Sequence, residues 1–190
     1  MTGSTPVIGE YVYLDYRRPD ELYQPWDPRA IEAAARVAAL TRAAMPDAVV
    51  EHVGSTAVPG CDGKGIVDLL LLYAPGRLAA ARDALDALGF QCQRGRDPFP
   101  EERPLRLGVV EHDGETFRLH VHGVAAGDAE AAELITFRDR LCADPALVAE
   151  YIARKRQVIA AGKLDNIAYN QGKEEVIRRI IDNGRVTHDA

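Results

Sequence analysis

Residues 66–73 read Ile-Val-Asp-Leu-Leu-Leu-Leu-Tyr. A short run that is apolar on both faces and bounded by turn residues belongs at the centre of a sheet, where neither face meets water. One carboxylate interrupts it. Burying a polar group without a partner costs roughly 2–7 kcal/mol, and a charge costs more, so Asp68 needs a partner or a function. Just upstream, Val49–Val53 is a second apolar stretch that runs into Gly54-Ser55, and the link to Ile66 is broken by Pro59, Gly60, Gly63 and Gly65. A turn leaving a strand in this way directs unpaired backbone N–H groups at an anion. The expected chemistry is phosphate at the turn and a cation at the carboxylate.

Composition narrows the class. A chain of 190 residues with 47% hydrophobic and 27% charged residues has the make-up of a globular protein able to bury a core. Its net charge of −6 argues against a general nucleic-acid binder, although local basic clusters for small anions remain open. Cys61, Cys92 and Cys142 lack metal-binding spacing; an odd count with no signal segment points to reduced thiols and a cytoplasmic location. No stretch approaches the ~20 apolar residues of a membrane span.

Along the chain, residues 1–25 read as an arm with an early strand over Glu10–Tyr16. Asp27-Pro28 signals the start of a helix reaching Ala44. Strands follow at Val49–Val53 and Ile66–Tyr73, then a helix carrying Leu78, Ala81, Leu85 and Leu88. A strand begins at Phe90–Arg94, and a proline-rich loop follows to Pro104. Asp113-Gly114 between two alternating runs, Leu105–Glu111 and Glu115–Val124, reads as a hairpin. From residue 126 the pattern is helical, with breaks at Asp144-Pro145, Gly162 and Asn183-Gly184. The expected fold is α/β (α+β): a small mixed sheet flanked by helices, with a C-terminal helical layer over residues 126–184 of a single domain spanning 26–184.

Period-two alternation puts Arg118, His120 and His122 on one face of their strand and Phe117, Leu119 and Val121 on the other. Two histidines at i, i+2 suit a metal or a phosphate if the strand lies beside Asp68; otherwise the face is merely solvated. Parity places His52, rather than Glu51, on the side of Gly54. Tyr151/Lys155 and Tyr169/Lys173 are i, i+4 pairs whose lysines are either solvated charges or arms over a pocket. Asn170, Gln171 and Lys173 around Gly172 read as a polar cluster at the start of the last helix.

The run Glu51-His52-Val53-Gly54-Ser55-Thr56-Ala57-Val58-Pro59-Gly60, with Lys64 and Ile66-Val67-Asp68, resembles the signature of the GrpB family. Trp26-Asp27-Pro28-Arg29, Leu119-His120-Val121-His122, Phe137-Arg138-Asp139-Arg140-Leu141, Asp144-Pro145, Tyr151 with Lys155, and Tyr169 with Gly172-Lys173 extend the likeness in order. That family is similar in fold to nucleotidyltransferases. The resemblance implies a Gly-Ser turn holding a nucleotide's phosphates, carboxylates holding divalent metal (Mg²⁺ or Mn²⁺), and transfer to a small-molecule acceptor. Together with the strand-face reading, this makes Gly54, Ser55, Lys64, Arg118, Lys155 and Lys173 the expected phosphate contacts, and Asp68, His120 and His122 the expected metal and catalytic residues. The expected partner is a nucleotide or other phosphorylated small molecule, with no membrane and no nucleic acid. One departure matters: Leu70 stands where the superfamily carries its second acid, which leaves open a non-catalytic ligand-binding domain of the same fold.

Overall fold

The computed structural model describes residues 23–93, 99–162 and 166–182. The expected strand at Glu10–Tyr16 and the helix stop at Asn183-Gly184 lie outside them. Helix α1 (Arg29–Ala44) leads into β1 (Val49–Val53), a 3₁₀ turn at Ser55–Ala57, β2 (Ile66–Tyr73), α2 (Leu78–Ala87) and β3 (Gln91–Cys92). The hairpin β4 (Leu105–His112) and β5 (Glu115–Ala125) comes next, then α3 (Ala129–Ala143), α4 (Pro145–Ala160) and α5 (Asn166–Asp182).

The strands form one five-stranded mixed sheet in the order β1-β2-β5-β4-β3. Only β2 and β5 run parallel, and the other neighbours are antiparallel. The apolar run of β2 sits next to the sheet's centre, as its composition predicts, with Leu69, Leu70 and Leu71 each fully buried. Each such side chain contributes about 1.5–3 kcal/mol by leaving water. Alternation along β2 and β5 splits the core. Val67, Leu69, Leu71, Leu119 and Val121 pack with the alanine-rich face of α1 (Ala30, Ala33, Ala34, Val37, Ala38). On the opposite face Val53, Leu70 and Val124 pack with Ala131 of α3.

Local signals explain the boundaries. The Asp27 carboxylate accepts the Arg29 backbone N–H at 2.9 Å, and α1 opens at Arg29 after Pro28, one residue later than expected. Asp128 and Asp144 are the N-caps of α3 and α4, their carboxylates accepting backbone N–H groups at 2.9 and 2.8 Å. Asp113 and Gly114 both adopt positive φ, as a tight two-residue hairpin turn requires. Of the strand expected at Phe90–Arg94, the described residues show Gln91–Cys92, paired with Leu107 and Arg106 at the sheet edge, and Arg94 lies outside them. Cys61 is buried, whereas Cys92 and Cys142 are exposed.

The helical layer is a second core. Phe137 and Leu141 of α3, Val148 and Tyr151 of α4, and Val176, Ile180 and Ile181 of α5 pack together with Val58 and Cys61 from the β1–β2 link. The turn after β1 is therefore anchored in the C-terminal helices. Gly172 lies inside α5, where a Cβ would stand 2.7 Å from Val158 Cγ2; its absence lets α4 and α5 approach closely. Among the described residues no helix is long and apolar enough to cross a membrane.

Candidate active site

The parallel register sets Asp68 opposite His120, and Leu70 opposite His122. Paired residues share a face, so the carboxylate and both imidazoles project from the same side of the sheet. His120 Nδ1 is 3.4 Å from Asp68 Oδ1, and His122 Nε2 is 3.9 Å from the same oxygen. All three side chains are half-buried. Burial alone would raise the pKa of Asp68, but hydrogen bonds and charge from His120 and His122 outweigh it and hold the carboxyl well below the usual carboxylate range. The three donor atoms lie within 4.8 Å of one another, close enough to share one divalent ion. Phe99 closes one side, its ring edge-on to His122 with centroids 5.7 Å apart.

The other carboxylate oxygen faces the turn. Gly54 has φ +74° and ψ −173°, a region that is essentially glycine's alone, and a Cβ there would lie 2.5 Å from Asp68 Oδ2. Strand and turn thus meet at van der Waals contact. Arg118 lies one alternation before His120 on the same strand face, opposite Ile66.

Lysines surround the turn. Lys155 is 1% exposed, and its ammonium has three donors. They face Ser55 Oγ at 3.2 Å, Cys61 Sγ at 3.4 Å and the Asp62 carbonyl, while the ring of Tyr151 lies 4.4 Å away. Burial lowers its pKa, partly offset by Cys61 and Asp62. Tyr151 also hydrogen-bonds with Ser55. Lys64 and Lys173 each place Nζ 4.2 Å from the ring centroid of Tyr169. Burial, reinforced by the charges of Lys64 and Lys155, pushes Lys173 down to about 7, and burial pushes Tyr169 up to about 12.

These positions refine several expectations. Lys155 is buried rather than solvated, with its donors directed at the turn. Asn170 and Gln171 are exposed residues inside α5 rather than at its start; of that cluster, Lys173 is the one that reaches Tyr169. Parity at β1 is the reverse of the expected one. Val53 pairs with Asp68 and Glu51 with Leu70, so Glu51 shares the carboxylate's face and His52 does not. Glu51 is held by Arg138 of α3 at 2.7 Å, which also caps the His52 carbonyl at 2.8 Å. Leu70 is fully buried in the apolar cluster with Val53 and Val124, so the position expected to carry a second acid is part of the core. Sequence reasoning missed the embrace of the turn by Cys61 and Asp62, and the placement of Phe99, because both depend on contacts between distant segments.

His52 has its own consequence. Thr56 Oγ1 gives its only proton to the Ile66 carbonyl at 3.0 Å, so His52 Nε2, also 3.0 Å away, must be the donor to Thr56. Burial pushes His52 down to about 4, against a smaller opposing pull from Asp68. Between that value and the unfolded value of about 6.5 the unfolded chain binds the extra proton, so stability is lost as pH falls through this window. Thermal melts from pH 7 to pH 4 are expected to show that loss, and His52→Gln is expected to flatten it.

Comparison with known proteins agrees with this architecture. The GrpB protein family matches residues 21–183. A UPF0157 protein of Pseudomonas aeruginosa is 37% identical over 154 residues, covering 78% of this chain and 60% of its own length. The chain thus spans well under two thirds of that relative. One from Streptomyces coelicolor is 35% identical over 134 residues, covering 70% of this chain and 67% of its own. The crystal structure of the conserved protein GrpB from Enterococcus faecalis superposes with a TM-score of 0.67 at 18% identity, over 86% of this chain and 99% of that one. A more distant likeness, TM-score 0.48 at 19% identity over 72% of this chain and 33% of the other, is to mtPAP in complex with UTP. The match across nearly all the described residues makes this chain a member of the GrpB family.

Proposed function

We propose that this site binds a nucleotide together with a divalent cation and transfers its nucleotidyl group to a small acceptor hydroxyl. The observation that carries the reading is the double contact of one carboxylate. Asp68 faces two imidazoles through Oδ1 and abuts the Gly54 turn through Oδ2. A cation held on one side and an anion on the other would lie within a few ångströms of each other.

Each residue has a role in this reading. The backbone and hydroxyl at Gly54-Ser55 receive phosphate oxygens. Lys64 and Lys173 supply counter-charge from beside Tyr169, with Arg118 as a further anion contact. Lys155 contributes charge while holding Ser55 and Asp62 in place. Asp68, His120 and His122 hold the cation, which when bound neutralises charge on the phosphate. The acceptor oxygen bonds to the α-phosphorus as the bond to the bridging oxygen breaks and pyrophosphate departs. The acceptor's proton passes to solvent. Such catalysis is chiefly positioning and charge neutralisation.

A second reading, nucleotide binding without turnover, is favoured by Leu70, because one carboxylate cannot hold two ions as a pair of carboxylates can. Both readings need the anion site, and Lys173 provides its test. Free, this lysine loses its proton near 7; a bound phosphate favours the ammonium, so binding above that pH takes up a proton. Calorimetric titration with a nucleoside triphosphate is expected to show affinity falling about tenfold per pH unit above neutrality, with proton uptake, and Lys173→Met is expected to remove the slope. Affinity unchanged between pH 7 and 9 would remove Lys173 from the anion site, and no binding at any pH would sink the site. Release of pyrophosphate with an acceptor present then separates transferase from binder.

A further inference from the structure

We infer that Asp68, His120 and His122 form a mononuclear, four-coordinate transition-metal centre of the zinc class rather than a paired magnesium site. The inference rests on reading these residues as metal ligands, but it does not require the ligand to be a nucleotide.

Three observations converge. The first is donor chemistry: two imidazoles and one carboxylate suit zinc and its neighbours, whereas magnesium selects oxygen ligands and retains water. The second is spacing. Asp68 Oδ1 stands 3.4 and 3.9 Å from the two imidazole nitrogens, and the three donors lie within 4.8 Å of one another, a span that suits a single ion. The third is the neighbourhood that would have to hold a second ion. Leu70 is fully buried among Val53, Val124 and Ala131, and Glu51, its partner across the strand pair, is engaged by Arg138 at 2.7 Å. No second carboxylate is left on this face of β1 and β2 to bridge a metal pair.

The parallel pairing of β2 and β5 holds the triad on two adjacent strands, with Phe99 as an apolar neighbour of His122. Three protein ligands leave a fourth position for substrate, the arrangement of a catalytic rather than a structural zinc site. Another cluster of similar composition, Glu32, His112 and Asp113, is a useful control. There His112 Nε2 is already 3.2 Å from Glu32 and its Nδ1 is 3.4 Å from Arg36, so the ring links α1 to the hairpin.

The test uses the intact chain, stripped with a chelator, offered equimolar Zn²⁺, Mn²⁺ and Mg²⁺, and passed through gel filtration before elemental analysis. About one zinc per chain is expected, with magnesium not retained. Cobalt substitution is expected to give the strong visible absorption of four-coordinate Co²⁺. His120→Ala and His122→Ala, checked for folding by their melting curves, are each expected to weaken zinc binding by a factor of about 100, while His112→Ala leaves it unchanged. Two ions per chain, preferential retention of magnesium, or wild-type zinc affinity in both site variants would overturn the assignment. Zinc retention without any response to nucleotide would leave this centre standing and remove the nucleotide reading. Nucleotide binding that depends on Mg²⁺, with no zinc retained, would do the reverse.

Discussion

Asp68→Asn is expected to abolish divalent-ion binding, lowering affinity by a factor of about 100 or more, and with it any pyrophosphate release, while the melting temperature at neutral pH changes little. Asparagine keeps the shape of the side chain, so contact with Gly54 survives and the apolar packing of β2 is untouched. What disappears is the negative charge that both imidazoles face, at 3.4 and 3.9 Å. The same substitution separates the two functional readings. In a transferase, turnover falls with the ion. In a binder, the loss of a negative charge from the site removes its repulsion of the anion and tightens phosphate binding without the metal. Calorimetry with and without Zn²⁺ or Mn²⁺, alongside a pyrophosphate assay, reads both effects. An Asp68→Asn protein that binds the ion as the wild type does would remove Asp68 from the metal site.

Much of this site was legible in the sequence because strand chemistry is local. Alternation alone put Arg118, His120 and His122 on one face, and the apolar density of Ile66–Tyr73 placed Asp68 near the sheet centre. Neither reveals which strands are neighbours. That β2 pairs with β5 in parallel, bringing Asp68 opposite His120, is set by the crossover through α2 and the hairpin, which periodicity does not encode. Parity at β1 failed for a related reason. Counting from His52 to Gly54 assumes the strand continues, yet Gly54 already has left-handed φ and breaks the alternation. Lys155 illustrates a third limit. On a helical wheel it is an ordinary lysine one turn after a tyrosine. Its burial follows from Cys61 and Val58 entering the helical core and carrying acceptors to it.

Gly54→Ala is expected to disable both halves of the site at once, and Gly60→Ala shows why. Both glycines have positive φ, +74° and +73°, so an alanine at either position is strained, and at Gly54 the ψ of −173° adds to it. They differ in what the new methyl meets. At Gly60 nothing lies within 4 Å, whereas at Gly54 the methyl falls 2.5 Å from Asp68 Oδ2 and 3.2 Å from its Cβ. The strand cannot give way, since Val67 and Leu69 on either side of Asp68 are fully buried. The carboxylate must rotate or the turn must lift, and either movement separates the turn's backbone amides from the His120–His122 pair. Gly60→Ala is therefore expected to lower the melting temperature modestly while retaining metal and phosphate. Gly54→Ala is expected to lose more stability and to weaken both ligands by a factor of about 10 or more. Melting curves and paired titrations of the two variants measure the difference, and equal effects at the two positions would mean that the contact between Gly54 and Asp68 does not couple the turn to the carboxylate.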